Sequence, residues 1–210
     1  MRKLMFYFAF VLTLLSFAYA QQVDPFLLPE RANSRINASV EIAKELKSMG
    51  YKRMAVVYME TSDLCALFSA SLVASLKTLG VEAYYIKGGE GLEERLKALQ
   101  PFHVYMAYFG ERPPQEVQTH FTEDLRRVLR YEKRPSLVIQ PALLAMGFVN
   151  GLLTDEEISS TLQEVPMLSF LFESGKAKPV KVVIKDLEVK VTPAQEGAKP
   201  AKPKREQRRK

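Results

Sequence analysis

Between residues 54 and 140 the chain alternates short apolar runs with stretches of helical period, and this rhythm constrains the fold more than any other feature. The runs are Met54 to Met59, Val81 to Ile86, His103 to Phe109 and Ser136 to Gln140, each too short and too uniformly apolar for a surface helix. They read as strands buried on both faces. Between them Leu64, Phe68, Leu72, Leu76 and Leu79 recur at helical spacing until Gly80, and Leu92, Leu96 and Leu99 share a face until Pro101. Val117, Phe121, Leu125 and Val128 mark a third helix, opened by Pro113 and Pro114, whose missing N–H groups cost nothing in a first turn. Ahead of the first strand, Asn33 or Ser34 can cap a helix carrying Ile36, Val40, Ala43 and Leu46, which Gly50 closes. Strands separated by single helices over short connections call for crossovers and a parallel sheet covered on both faces. The expected class is α/β, flavodoxin-like or Rossmann-like.

The rhythm changes after the fourth strand. Ala142 to Leu153 is apolar with Gly147 and Gly151 interrupting, and Thr154 with Glu157 reads as a capping box for a helix that must bend or stop near Pro166. Val180 to Ile184 and Leu187 to Val191 flank Lys185 and Asp186 as alternating β runs, giving a C-terminal β hairpin or one kinked return strand.

The two ends carry different signals. Met1-Arg2-Lys3, the apolar run Leu4 to Phe17 and Ala18-Tyr19-Ala20 read as the charged, hydrophobic and cleavage regions of a signal peptide over residues 1–20, with a retained anchor over Leu4 to Ala20 as the alternative that the small-residue site ahead of Gln21 disfavours. Residues 21–32 read as an extended lead-in, 33–192 as one α/β domain, and 193–210 as a basic tail too poor in apolar residues to fold. The net charge of +6 belongs to the ends: +2 at Arg2 and Lys3 and +5 in the tail, leaving the body near −1. A nucleic-acid-binding surface on the folded part is therefore not implied, whereas the tail can contact anionic surfaces. The single cysteine, Cys65, lies among Leu64, Ala66, Leu67 and Phe68 and is expected to be buried as a small hydrophobe.

Sequence signals for catalysis are sparse. His103 and His120 have no metal-ligand partner at helical spacing, and no nucleophile elbow, Walker loop or paired-cysteine motif occurs. No metal, cofactor or catalytic residue is assigned. Parallel α/β sheets bind ligands beyond the carboxyl ends of their strands, which directs attention to four loops: Glu60-Thr61-Ser62-Asp63, Lys87-Gly88-Gly89-Glu90, Gly110-Glu111-Arg112 and Gln140-Pro141. The first offers a carboxylate, hydroxyls and free helix N–H groups, and Ser62 or Asp63 equally serves as a helix cap. The candidate ligand-binding set is Glu60, Thr61, Ser62, Asp63, Lys87 and Gln140. Tyr58, Tyr84, Tyr85, Tyr105 and Tyr108 fall near strand ends, either stacking on a ligand or packing under helices.

The helix ending at Gly50, the strand Lys52 to Tyr58, the loop Glu60 to Asp63, the helix end Lys77 to Val81, and the segments Gln140 to Gly147 and Ser174 to Val180 resemble one lobe of a family. That family is the type I periplasmic substrate-binding proteins of ABC transporters, and the lobe is the C-terminal one. The resemblance implies ligand contacts at Glu60 to Asp63 and Gln140. It departs in length: the family closes two lobes on its ligand and this chain has residues for one, so a second wall would come from another copy or a partner. The expectation is an exported periplasmic, non-enzymatic protein that recognises a small polar molecule or an envelope partner at the strand ends, linked to a transporter or sensor. Two alternatives stand beside it: an envelope scaffold or assembly factor docking through its basic tail, and an enzyme with carboxylate chemistry at Glu60, Asp63 or Glu111.

Overall fold

The computed structural model describes residues 29–109 and 112–194, so the signal-peptide reading, the lead-in up to residue 28, Glu111 and the tail beyond Ala194 lie outside the described residues. Seven strands form one sheet in the order β2-β1-β3-β4-β5-β6-β7. They are β1 (Arg53–Tyr58), β2 (Glu82–Lys87), β3 (His103–Ala107), β4 (Ser136–Ile139), β5 (Met167–Glu173), β6 (Lys176–Lys185) and β7 (Glu188–Pro193). The first five are mutually parallel, and β6 and β7 add antiparallel strands at one edge. The parallel order 2-1-3-4-5 is that of a flavodoxin-like sheet, with its reversal between β1 and β3.

Two groups of helices cover the sheet. On one side α1 (Pro29–Ser48) packs on α2 (Asp63–Thr78); the other group is α3 (Leu92–Leu99), α4 (Pro114–Leu129) and α7 (Glu156–Glu164). The short α5 (Pro141–Ala145) and α6 (Phe148–Gly151) follow β4. Burial explains the apolar runs: β3 is buried at all five residues, and β1 at its four central ones. Gly50 and Gly80 stop α1 and α2 with positive φ of 82° and 76°, the left-handed turn that glycine takes without steric cost.

Three features differ from the sequence reading. The first helix begins at Pro29, ahead of Asn33, so Pro29 to Ala32 are helical rather than extended; proline fits there because a first-turn N–H has no helical partner. The cap of α7 is Asp155, whose carboxylate accepts the Ile158 amide at 3.1 Å, while the Thr154 hydroxyl turns back to the Gly151 carbonyl. Lastly, β5 was not anticipated. It supplies the link between the parallel part and the C-terminal pair, which is a hairpin turning through Asp186 and Leu187 at φ 55° and 58°.

Candidate functional site

The loop after β1 is organised by Ser62. Its amide bonds the Met59 carbonyl at 3.2 Å, and its buried hydroxyl accepts the Cys65 amide at 3.1 Å, capping α2. Cys65 is fully buried and its thiol donates to the Phe109 carbonyl at 3.1 Å. Phe109 lies edge-on to Phe68, with ring centroids 5.5 Å apart, under the Arg35 guanidinium at 4.6 Å. The crevice at the reversal of strand order is therefore filled by side chains. It is also bridged above: Arg112 Nε donates to the Thr61 carbonyl at 2.6 Å, and the Thr61 hydroxyl donates to Glu116 Oε1 at 3.0 Å. Glu60 reaches across to form an ion pair with Lys87 at the end of β2, both about half exposed.

A second set of contacts fixes the loop after β2. Asp124 is 1% exposed, and its carboxylate accepts the Tyr108 hydroxyl at 2.6 Å, the Gly89 amide at 2.9 Å and Arg127 Nη1 at 2.6 Å. Burial first, and then the neighbouring Asp124 charge, push the Tyr108 phenol well above its ordinary pKa, so it remains a donor. Gly88 must be glycine for lack of space: a Cβ would strike the Asp124 carboxylate and the Tyr108 hydroxyl. Arg95 Nη2 closes the loop on the Lys87 and Glu90 carbonyls, at 2.9 Å each.

Of the six residues singled out from sequence, Glu60 and Lys87 meet directly, and Thr61 joins them to the loop after β3. Asp63 is exposed at the start of α2. Ser62 is buried and engaged as the cap, and Gln140 is 6% exposed, its side-chain oxygen accepting the Tyr105 hydroxyl. Among the tyrosines, Tyr105 and Tyr108 are fully buried, while Tyr58 and Tyr85 stack at the end of β1 and β2 with centroids 4.3 Å apart. Among the described residues no three His, Cys, Asp or Glu side chains converge to hold a metal ion, and no helix there is long and apolar enough to cross a membrane.

Sequence reasoning placed Arg112 on a strand-end loop without assigning it a role, and missed Asp124 and Glu116. Asp124 left a signal: it sits inside the stripe Val117, Phe121, Leu125, Val128, where a carboxylate has no reason to be unless something donates to it. Glu116 gave none, and the partner of Arg112 could not be read, since Thr61 is 55 and 51 residues away from them.

Residues 31–200 match a family model described as "Uncharacterized protein". A curated relative of the same description from Aquifex aeolicus (strain VF5) is 38% identical over 154 residues, which is 73% of this chain and 72% of the relative. The chain belongs to this family. Among solved structures, it is similar to a putative branched-chain amino acid ABC transporter from Rhodospirillum rubrum, at 12% identity and a TM-score of 0.47 over 64% of this chain and 36% of that one. An ABC transporter substrate-binding protein from Desulfitobacterium hafniense, in complex with Leu, gives 15% identity and a TM-score of 0.41 over 69% and 37%. The C-domain of LpoA from Haemophilus influenzae, a regulator of PBP1A, gives 8% and 0.43 over 64% and 40%. The chain thus spans well under half the length of these solved chains.

Proposed function

We propose that this is an exported, non-enzymatic recognition protein of the bacterial envelope, and that the strand-end rim docks a partner protein. The observation that carries the reading is the bridged crevice. Phe109 fills the point where strand order reverses, and Arg112, Thr61 and Glu116 tie its two banks together. What is left outward is a fixed polar face carrying Glu60, Thr61, Asp63, Lys87 and Arg112. Such a face suits a partner with complementary charges, because half-exposed pairs such as Glu60–Lys87 are weakly held and exchange at little cost. The sequence signals for export are consistent with a partner in the envelope.

The test is native mass spectrometry of the protein recovered from its own periplasm, with the charge-reversal variants Glu60→Lys and Asp63→Lys and with a chain ending at Thr192. The rim reading expects a protein complex that both reversals dissociate and that truncation leaves intact. A complex lost only on truncation would establish docking through the basic tail instead. A monomer retaining a small polar metabolite would overturn the partner reading in favour of a ligand.

A further inference from the structure

Among the described residues the sheet ends at β7 with an uncovered edge: five of its six residues are exposed and Val189 is half-buried. The ladder on its inner side fixes which backbone groups look outward. Ala194 N–H donates to the Pro179 carbonyl at 3.2 Å, and in the same register Thr192 faces Lys181, Lys190 faces Val183 and Glu188 faces Lys185. Bonded and non-bonded pairs alternate along an antiparallel ladder, so these are the bonded pairs, and Val189 and Val191 turn both N–H and C=O away from β6. Pro193 also turns outward but has only a carbonyl to offer. Such an edge is a template for one more strand.

The side chains on β7 select the strand that fits. Charges on an edge ordinarily repel a second strand, but Glu188 and Lys190 are opposite in sign and flank Val189 symmetrically. Two copies related by a two-fold axis through Val189 set Glu188 of each against Lys190 of the other, twice per dimer. These fall at non-bonded positions, where facing side chains come closest, while the outward groups of Val189 meet those of its counterpart. The same register sets Leu187, 62% exposed, opposite Val191 of the second copy, 43% exposed. Moving the axis one residue either way would set Glu188 against Glu188 or Lys190 against Lys190. Moving it to Val191 would set Pro193 against Val189 and lose a hydrogen bond, because proline has no N–H. Within one copy Lys190 and Glu188 are 3.8 Å apart and both well exposed, so the pair is weakly held and exchanges partners at little cost.

We propose that two copies of this chain pair antiparallel through β7, centred on Val189, into one continuous sheet. The two-fold axis then stands perpendicular to the sheet, so the two rims point in opposite directions and one dimer presents a docking face at each end. The pairing itself does not rest on the rim reading, since β7 is the sheet edge farthest from the crevice between β1 and β3. One strand from each copy buries little area, so the dimer should be weak and reversible. The experiment is sedimentation velocity of the purified chain in low-salt buffer over a concentration series reaching high concentration. It compares the wild type, Glu188→Lys alone, Lys190→Glu alone, and the two single variants mixed in equal amounts. The expected result is a wild-type dimer that each single variant weakens by at least about tenfold, because like charges then face each other at both positions. The mixture should dimerise again, because a hetero-pair restores an opposite charge at every position. A wild type that stays monomeric throughout, a dimer that either single variant leaves unweakened, or a mixture that stays monomeric would overturn the proposal. So would a dimer abolished by Lys87→Glu, which would put the contact at the rim.

Discussion

Replacing Asp124 by alanine removes the acceptor on which the segment after β3, the loop after β2 and Arg127 of the same helix converge. The carboxylate is almost wholly buried and takes the Tyr108 hydroxyl, the Gly89 amide and the Arg127 guanidinium. Arg127 is about a third exposed and regains water when the carboxylate goes, so its share of the loss is small. Tyr108 is fully buried and does not. Stranding a buried hydroxyl costs about 1–3 kcal/mol, and removing one member of a buried charged pair costs about 3–5 kcal/mol. With the arginine contribution discounted, Asp124→Ala should lose about 3 kcal/mol, read as a lower midpoint in urea denaturation at unchanged slope. Tyr108→Phe alone should cost about 1 kcal/mol, and the double variant about 1 kcal/mol less than the sum, because the phenylalanine leaves no hydroxyl to strand. Gly88→Ala, which pushes on the same carboxylate, should cost about 1–3 kcal/mol and should also fall short of additivity with Asp124→Ala. A loss under about 1 kcal/mol for Asp124→Ala, or strict additivity in both cycles, would refute the view that this carboxylate holds the loops together.

Leu187 sits in the hairpin turn at φ 58° and is 62% exposed, so Leu187→Gly should stabilise the protein by about 1 kcal/mol in the same assay by relieving the left-handed strain. His103, held near 4 against an ordinary 6.5, takes up its proton more readily in the unfolded chain. Stability should therefore be unaffected by this group above about pH 6.5 and fall as the pH drops from there toward 4, by up to about 3 kcal/mol, and His103→Gln should flatten that part of the urea midpoint profile. Asp155→Ala should lower the melting temperature clearly and Thr154→Ala hardly at all, because only the former caps α7 and pairs with Arg126.

The parallel half of the fold was legible because each strand is bracketed by residues with few alternatives. Glycines terminate α1 and α2, prolines open α4, and Ser62 caps α2, so the apolar runs between them had to be strands. Legibility failed where the local pattern has two solutions. Met167 to Glu173 follows directly on a helix and Pro166 and lacks clean alternation, because Met167 to Phe170 is buried on both faces while Leu171 and Phe172 stand in solvent. The Lys185-Asp186-Leu187 turn carries no glycine, so hairpin and kinked strand could not be separated; cross-strand pairing of Val182 with Val191 and Ile184 with Val189 decides for the hairpin. At the rim, Glu60 to Asp63 and Lys87 could be placed from the rule that strand ends bind. Which of them face outward could not, because the bridges that engage Thr61 and Gln140 come from distant segments.

Site-specific photo-crosslinking within living cells tests the rim most directly, using a benzophenone amino acid at Asp63 and, as a control, at Lys97 on the exposed face of α3. Docking at the strand ends predicts a discrete protein adduct from position 63 that Lys87→Glu abolishes, and none from position 97. Adducts of the same mass and yield from both positions, or an adduct at 63 indifferent to Lys87, would contradict it.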